Sequence, residues 1–166
     1  MNFSVKNIKS FNGREGVGYS ATLYLDGKKF AEVFDDANGG EVEVNCFDYH
    51  SHTKVTIKTY IDKEGVQHTW DVSPNHALLH NYVLTLPQWK SSFSDEMYDM
   101  TIGLFVEELV NKILEEKKLA KAKKKGICFK LTADNKNTYR TINTHDMEVA
   151  VSYLNKQFGL NSYQFI

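Results

Sequence analysis

Hydrophobic and polar positions alternate over much of residues 1–72, the two-residue period of strands with one buried face. Phe3, Val5 and Ile8 mark a short first strand. Tyr19–Leu25 follows, with Ala21, Leu23 and Leu25 on one face, and Asp26-Gly27 separates it from Lys28–Phe34. That dipeptide predicts a hairpin, because a primed turn needs the positive φ that Gly supplies. Asn38-Gly39-Gly40 marks the next turn. In Glu41–Phe47, Val42, Val44 and Cys46 alternate with Glu41, Glu43 and Asn45, the cleanest half-buried strand pattern in the chain. Lys54–Ile61 and Val66–Val72 predict a second hairpin, joined across Asp62–Gly65.

The period changes after Ser73-Pro74. A proline in the first helical turn forfeits no hydrogen bond, and the helix predicted over Asn75–Leu86 stops at Pro87. Ser94 is the expected N-cap of the next helix, with Asp95 and Glu96 in its first turn. Tyr98, Ile102, Phe105, Leu109 and Ile113 then fall on one face of a long amphipathic helix over 95–125. That helix enters a lysine tract and ends at Gly126, a left-handed C-cap by expectation. Farther on, Ile127–Leu131 and Thr138–Ile142 predict short strands around Asp134-Asn135. Thr144 is expected to cap a helix whose stripe is Met147, Val151 and Leu154, with Ala150 and Phe158 beside it and Gly159 at its end. Ser162–Ile166 reads as a terminal strand.

The expected fold is therefore α+β: an N-terminal antiparallel sheet packed on a long amphipathic helix, with a C-terminal ββαβ unit. A single domain over 1–166 is expected, with 1–72 mainly strands, 73–125 mainly helical and 126–166 the ββαβ unit. A chain of 166 residues buries roughly 70% of its surface, enough for one core. Hydrophobic residues at 42% and aromatics at 13% exclude a disordered chain. No apolar run approaches the length of a membrane span. Residues 1–10 lack the basic start and long apolar run of a signal peptide, and Cys46 and Cys128 do not make a disulfide framework. A reducing cytosol is the expected, cytoplasmic setting.

Net charge is −1, which argues against a strongly basic nucleic-acid protein, yet the charge is unevenly spread. Residues 1–100 carry 9 Lys and Arg against 14 Asp and Glu, net −5; residues 101–166 carry 11 against 7, net +4. Lys117, Lys118, Lys121, Lys123, Lys124 and Lys125 crowd one short tract. Such a run attracts phosphates or an acidic protein, and equally serves as a solvated helix end that complements the helix dipole.

Two stretches together carry a resemblance. One runs from Ala21-Thr-Leu-Tyr-Leu-Asp-Gly-Lys-Lys-Phe-Ala-Glu to Val33, before the Asn38-Gly39-Gly40 turn. The other is Phe129-Lys-Leu, then Tyr139-Arg-Thr-Ile, then the Val149–Leu154 helix. In this order they resemble small uncharacterised accessory proteins of bacteriophages and bacterial mobile elements. The resemblance covers about half the chain and leaves out His50-Ser-His52 and the 54–72 hairpin. It brings no catalytic residues; it implies an accessory role in a bacterial host cell.

Histidines are the main enzymatic lead. His50 and His52 share a face if they lie on a strand, and His76 and His80 share one on a helix. Either pair offers two imidazoles to Zn or Mn, with Cys46 or Asp48 nearby. Ala77 stands where a zinc protease helix carries its Glu, so that motif is absent. Gly13-Arg-Glu-Gly16-Val-Gly18 precedes a strand, whereas a phosphate loop needs a following helix. Asp35, Asp36, Glu41 and Glu43 cluster at a turn, where acid–base work would require a desolvated carboxyl. Cys46 and Cys128 sit on apolar strand faces, the setting of small core residues rather than thiolates. Tyr19, Tyr24, Phe47, Tyr49, Trp70 and Trp89 exceed what one small sheet face must bury, and aromatics serve both interfaces and base stacking.

The balance is against an enzyme. The expected function is a non-enzymatic accessory protein that binds, and in doing so inhibits, a host protein, a protein–nucleic-acid complex or a defence complex. A nucleic-acid binder using the Lys117–Lys125 tract with Lys130 and Arg140 is the alternative. A metal-dependent hydrolase built on His50, His52, His76 and His80 stands third. No membrane association is expected, and oligomeric state is not legible in the pattern.

Overall fold

Asp26 and Gly27 both take positive φ, 48° and 80°, and close the primed hairpin on which the main sheet is built. The computed structural model describes residues 1–90, 96–135 and 138–166. Strands β1 (Phe3–Asn12), β2 (Val17–Leu25), β3 (Lys28–Asp35) and β4 (Glu43–Cys46) form an antiparallel sheet in the order β1-β2-β3-β4. Val5, Leu23, Ala31 and Cys46 are cross-strand partners in one row, and all four are buried. The next row, Lys6, Thr22, Glu32 and Asn45, points to the other face and is polar. One face therefore belongs to the core and the other to water. β1 runs past the expected short strand to Asn12, with a register shift between Lys6 and Lys9 where Asn7 adopts φ 58°.

Helix α1 (Pro74–Val83) starts as its sequence predicts: the Ser73 hydroxyl accepts from the His76 N–H at 3.3 Å and Pro74 opens the first turn. It buries Ala77, Leu79 and Val83. The hairpin β5 (Val55–Ile61) and β6 (Gln67–Val72) is a separate two-stranded sheet, and the His80 Nε2 lies 3.0 Å from the Lys58 carbonyl oxygen of β5.

The long helix α2 (Ile102–Lys123) begins later than the 95–125 reading. Tyr98 fits a helical stripe, but it lies in β8 (Met97–Tyr98), which pairs with β7 (Trp89–Lys90), its ring 6.4 Å from Trp89. The Thr101 hydroxyl then accepts from the Leu104 N–H at 3.2 Å and caps α2. The expected Ser94 cap and Asp95 lie outside the described residues. Phe105 joins the sheet to α2 through Phe3, whose ring centroid is 5.7 Å away, and Phe3 also meets Tyr82 of α1 at 4.9 Å and Phe30 of β3 at 5.4 Å.

The chain divides into two compact units, Met1–Asn111 and Lys112–Ile166, with the boundary inside α2. In the second unit, β9 (Ile127–Leu131) lies between β10 (Arg140–Ile142) and β11 (Tyr163–Phe165), both antiparallel to it. Helix α3 (Met147–Phe158) supplies Ala150 and Leu154 to a core with Cys128 and Phe129. Its cap is Asp146 rather than Thr144: the carboxylate accepts from the Glu148 and Val149 N–H groups, while Thr144 braces the Asp146 N–H. Met147, expected in the buried stripe, is exposed. Gly126 has no left-handed φ; it is glycine because the Ile142 carbonyl oxygen occupies the space a Cβ would need.

Candidate functional site

After β4 the chain turns back on itself, with the Tyr49 N–H donating to the Cys46 carbonyl and the Ser51 N–H to that of Asp48. Asp48 latches this turn to α1: its Oδ2 accepts from the Asn75 N–H at 2.8 Å. The fold thereby sets His50 and His52 around the same cavity as His76. That cavity has a volume of about 620 Å³ and is also lined by Cys46, Lys54 and Ser73. His80 lines instead a neighbouring groove of about 520 Å³, with Tyr60, Trp70, Leu84 and Met100; His76 stands between the two. Three of the four predicted histidines thus share a cavity and the fourth does not. Among the described residues, no group of three or more His, Cys, Asp and Glu side chains is placed to hold a metal ion.

Burial is the first reason that the His76 pKa is lowered; a neighbouring His80 charge adds to it and Asp48 opposes it. The shift favours the neutral imidazole of His76. Burial also pushes the Cys46 thiol up to about 12, with the Asp48 carboxylate adding to the rise. A thiol in that state is not a nucleophile near pH 7. Cys128 is buried too, 3.7 Å from the Thr141 hydroxyl.

The carboxylates named from the sequence part company. Asp36 braces its own turn by accepting from the Asn38 N–H and side-chain amide, and these bonds lower its pKa. Glu43 is exposed on β4. Asp35 and Glu41, by contrast, line a cavity of about 590 Å³ with Glu15 and Glu107, and among the described residues no Lys, Arg or His belongs to its lining. Glu15 and Glu107 escape a sequence reading because they lie far apart in the chain and no local motif ties them together.

Six lysines of the basic tract are exposed: Lys117, Lys118, Lys121 and Lys123 on α2, and Lys124 and Lys125 in the turn after it. The two further basic candidates, Lys130 and Arg140, lie on neighbouring strands of the small sheet, and Arg140 is ion-paired. Arg140 is opposite Phe129 and Lys130 opposite Gln164, so their side chains leave opposite faces of the small sheet. The Arg140 guanidinium grips Asp134 by two hydrogen bonds, 3.1 Å from Nε and 2.8 Å from Nη2, and this pairing brings the Asp134 carboxyl down to about 2.

Of the aromatic residues singled out, Tyr19 is buried, while Phe47, Tyr49 and Trp70 are exposed. Trp70 is 63% exposed and shares its hairpin with exposed Tyr60, Ile61 and Val66. No helix among the described residues is long and apolar enough to cross a membrane. Compared with protein-family models, curated proteins and solved structures, the chain has no match.

Proposed function

We propose that the protein is a non-enzymatic accessory protein that binds a bacterial host protein through the β5–β6 hairpin and the groove beside it. The carrying observation is the exposed Trp70 with Tyr60 at the rim of the 520 Å³ groove. Tryptophan and tyrosine supply large anchors at protein interfaces, and an exposed set of large apolar side chains marks a contact surface. The Cys46 thiol, held protonated by burial, fits this reading better than thiolate chemistry. The resemblance to phage and mobile-element accessory proteins supports a host factor, such as a defence component, as the partner, and occupancy of its surface as the means of inhibition.

The test is affinity capture from bacterial lysate followed by rebinding of the purified partner. Trp70→Ala should retain the fold, because the side chain is exposed, and weaken rebinding by about tenfold or more. Equal rebinding by wild type and Trp70→Ala overturns the assignment.

A second reading has its own observation. The unit 112–166 carries 11 Lys and Arg against 5 Asp and Glu, net +6, and its lysine tract is exposed. That charge suits phosphate contacts. Arg140 is partly neutralised there by its pairing with Asp134.

A further inference from the structure

The acidic cavity and the aromatic groove are neighbours. Both are lined by Glu41, Val42, Thr101 and Gly103. They adjoin along these residues as a trough of two hollows with unlike linings, His76, His80 and Asp99 also belonging to the aromatic one. At one end stand Tyr60, Trp70, Leu84 and Met100. At the other stand Glu15, Asp35, Glu41 and Glu107, four carboxylates from four different segments with, among the described residues, no basic residue in the lining. A Cβ on Gly103 would come within 2.8 Å of the Glu41 Cγ, so glycine at that position leaves the Glu41 side chain room to lie over the first turn of α2. Tyr19, 4% exposed, lies on the core face of β2 opposite Asp35 of β3. Its buried hydroxyl has no hydrogen-bond partner among the described residues; burial first, and then the Asp35 and Glu107 charges, raise its pKa. The unit 1–111 as a whole carries 9 Lys and Arg against 16 Asp and Glu, net −7.

We infer that this trough takes a short basic segment of the partner, one large apolar side chain seated at the Trp70 end and flanking Lys or Arg side chains at the acidic end. The inference rests on the binding function proposed above and names the chemistry of its partner. Charge complementarity selects the sign of the occupant, since an acidic or neutral segment would leave four carboxylates uncompensated. The dispersion of those carboxylates selects its form. No three of them are grouped closely enough for a metal ion, whereas separate ammonium or guanidinium groups on a peptide can meet them one by one. The adjoining apolar surface supplies the anchor that a purely ionic contact lacks.

Fluorescence anisotropy on the full chain tests this with three labelled synthetic peptides of equal length: one with a central Trp flanked by Arg, one with Arg replaced by Glu, and one with Trp replaced by Ser. The first should bind, and each of the other two should bind about tenfold more weakly or worse. Glu41→Gln with Glu107→Gln, both exposed and both retaining side-chain size, should weaken the first peptide by about tenfold and reduce the salt dependence of its binding. Equal binding of the Trp and Ser peptides overturns the trough, because it marks a diffuse ionic attraction. So does unchanged binding to the double variant. Self-association of the chain, lost in the double variant and competed by the peptide, overturns the partner assignment in favour of a second copy. Should Trp70→Ala abolish partner rebinding while the double variant leaves it intact, the binding function stands and the basic-segment inference falls. Should no partner be captured while the peptides follow the predicted order, the trough stands and the host-protein reading falls.

Discussion

Cys46 and His76 show how burial sets side-chain chemistry in this protein. Both border the 620 Å³ cavity, and in both desolvation works against the charged form. With its thiol raised to about 12, Cys46 should resist iodoacetamide in the folded protein at about pH 8 and react once urea unfolds it. Rapid alkylation of native Cys46, read by mass spectrometry, would contradict that placement. His76 has a consequence for stability. Its folded pKa lies below the ordinary 6.5, so the unfolded chain takes up a proton more readily. Stability is therefore full above the ordinary value, falls as pH drops through it, and stops falling once the folded His76 is itself protonated. Urea midpoints measured from about pH 7.5 to about 5.5 should decline less in His76→Gln than in wild type. A parallel decline in both proteins would place the proton uptake elsewhere. Candidate histidines are legible in the sequence because their spacing is local. That His76 shares a cavity with His50 and His52 while His80 lines a different groove is not, because the Asp48 latch to Asn75 that brings the turn to the helix spans a long stretch of chain.

At the level of elements, local signals and the fold agree where the partner is close in the chain. Asp26-Gly27 predicts its hairpin, and the alternation at Val44 and Cys46 predicts the inward face of β4, which starts at Glu43 rather than Glu41. Ser73-Pro74 likewise marks the start of α1. The start of α2 is misread because periodicity cannot see that Tyr98 finds its apolar contact across a strand pair with Trp89. Competing caps are a subtler case. Thr144 and Asp146 both suit the start of α3, and the better acceptor geometry decides: Asp146 reaches two N–H groups. Asp146→Ala should destabilise α3 by about 1 kcal/mol, and Thr144→Ala by less, since Thr144 acts only on the Asp146 N–H. Thermal unfolding of the two variants compares them directly; a larger loss from Thr144→Ala would reverse the assignment.

Across the whole molecule, charge divides with the structure more sharply than the sequence alone reveals. Cut at the boundary between the compact units, the net charges are −7 and +6, against −5 and +4 for a cut at residue 100. The difference comes from Glu107 and Glu108 at the start of α2, which belong with the acidic unit although a reading by helix groups them with the lysines. If the basic unit binds nucleic acid, Lys121, Lys124 and Lys125 changed together to Ala should lower the salt slope of binding by about one for each lost phosphate contact. A gel-shift series over salt concentration reads this, and an unchanged slope removes the tract from any such site. For the central claim, that the protein acts by occupying a partner, the most direct measurement is a titration of the purified partner with the intact chain, followed by intact-mass analysis of both. The account predicts saturation at a fixed stoichiometry, an effect that ends when the protein is removed, and unaltered masses. An effect complete at a small fraction of that stoichiometry, or a partner whose mass has changed, would contradict it.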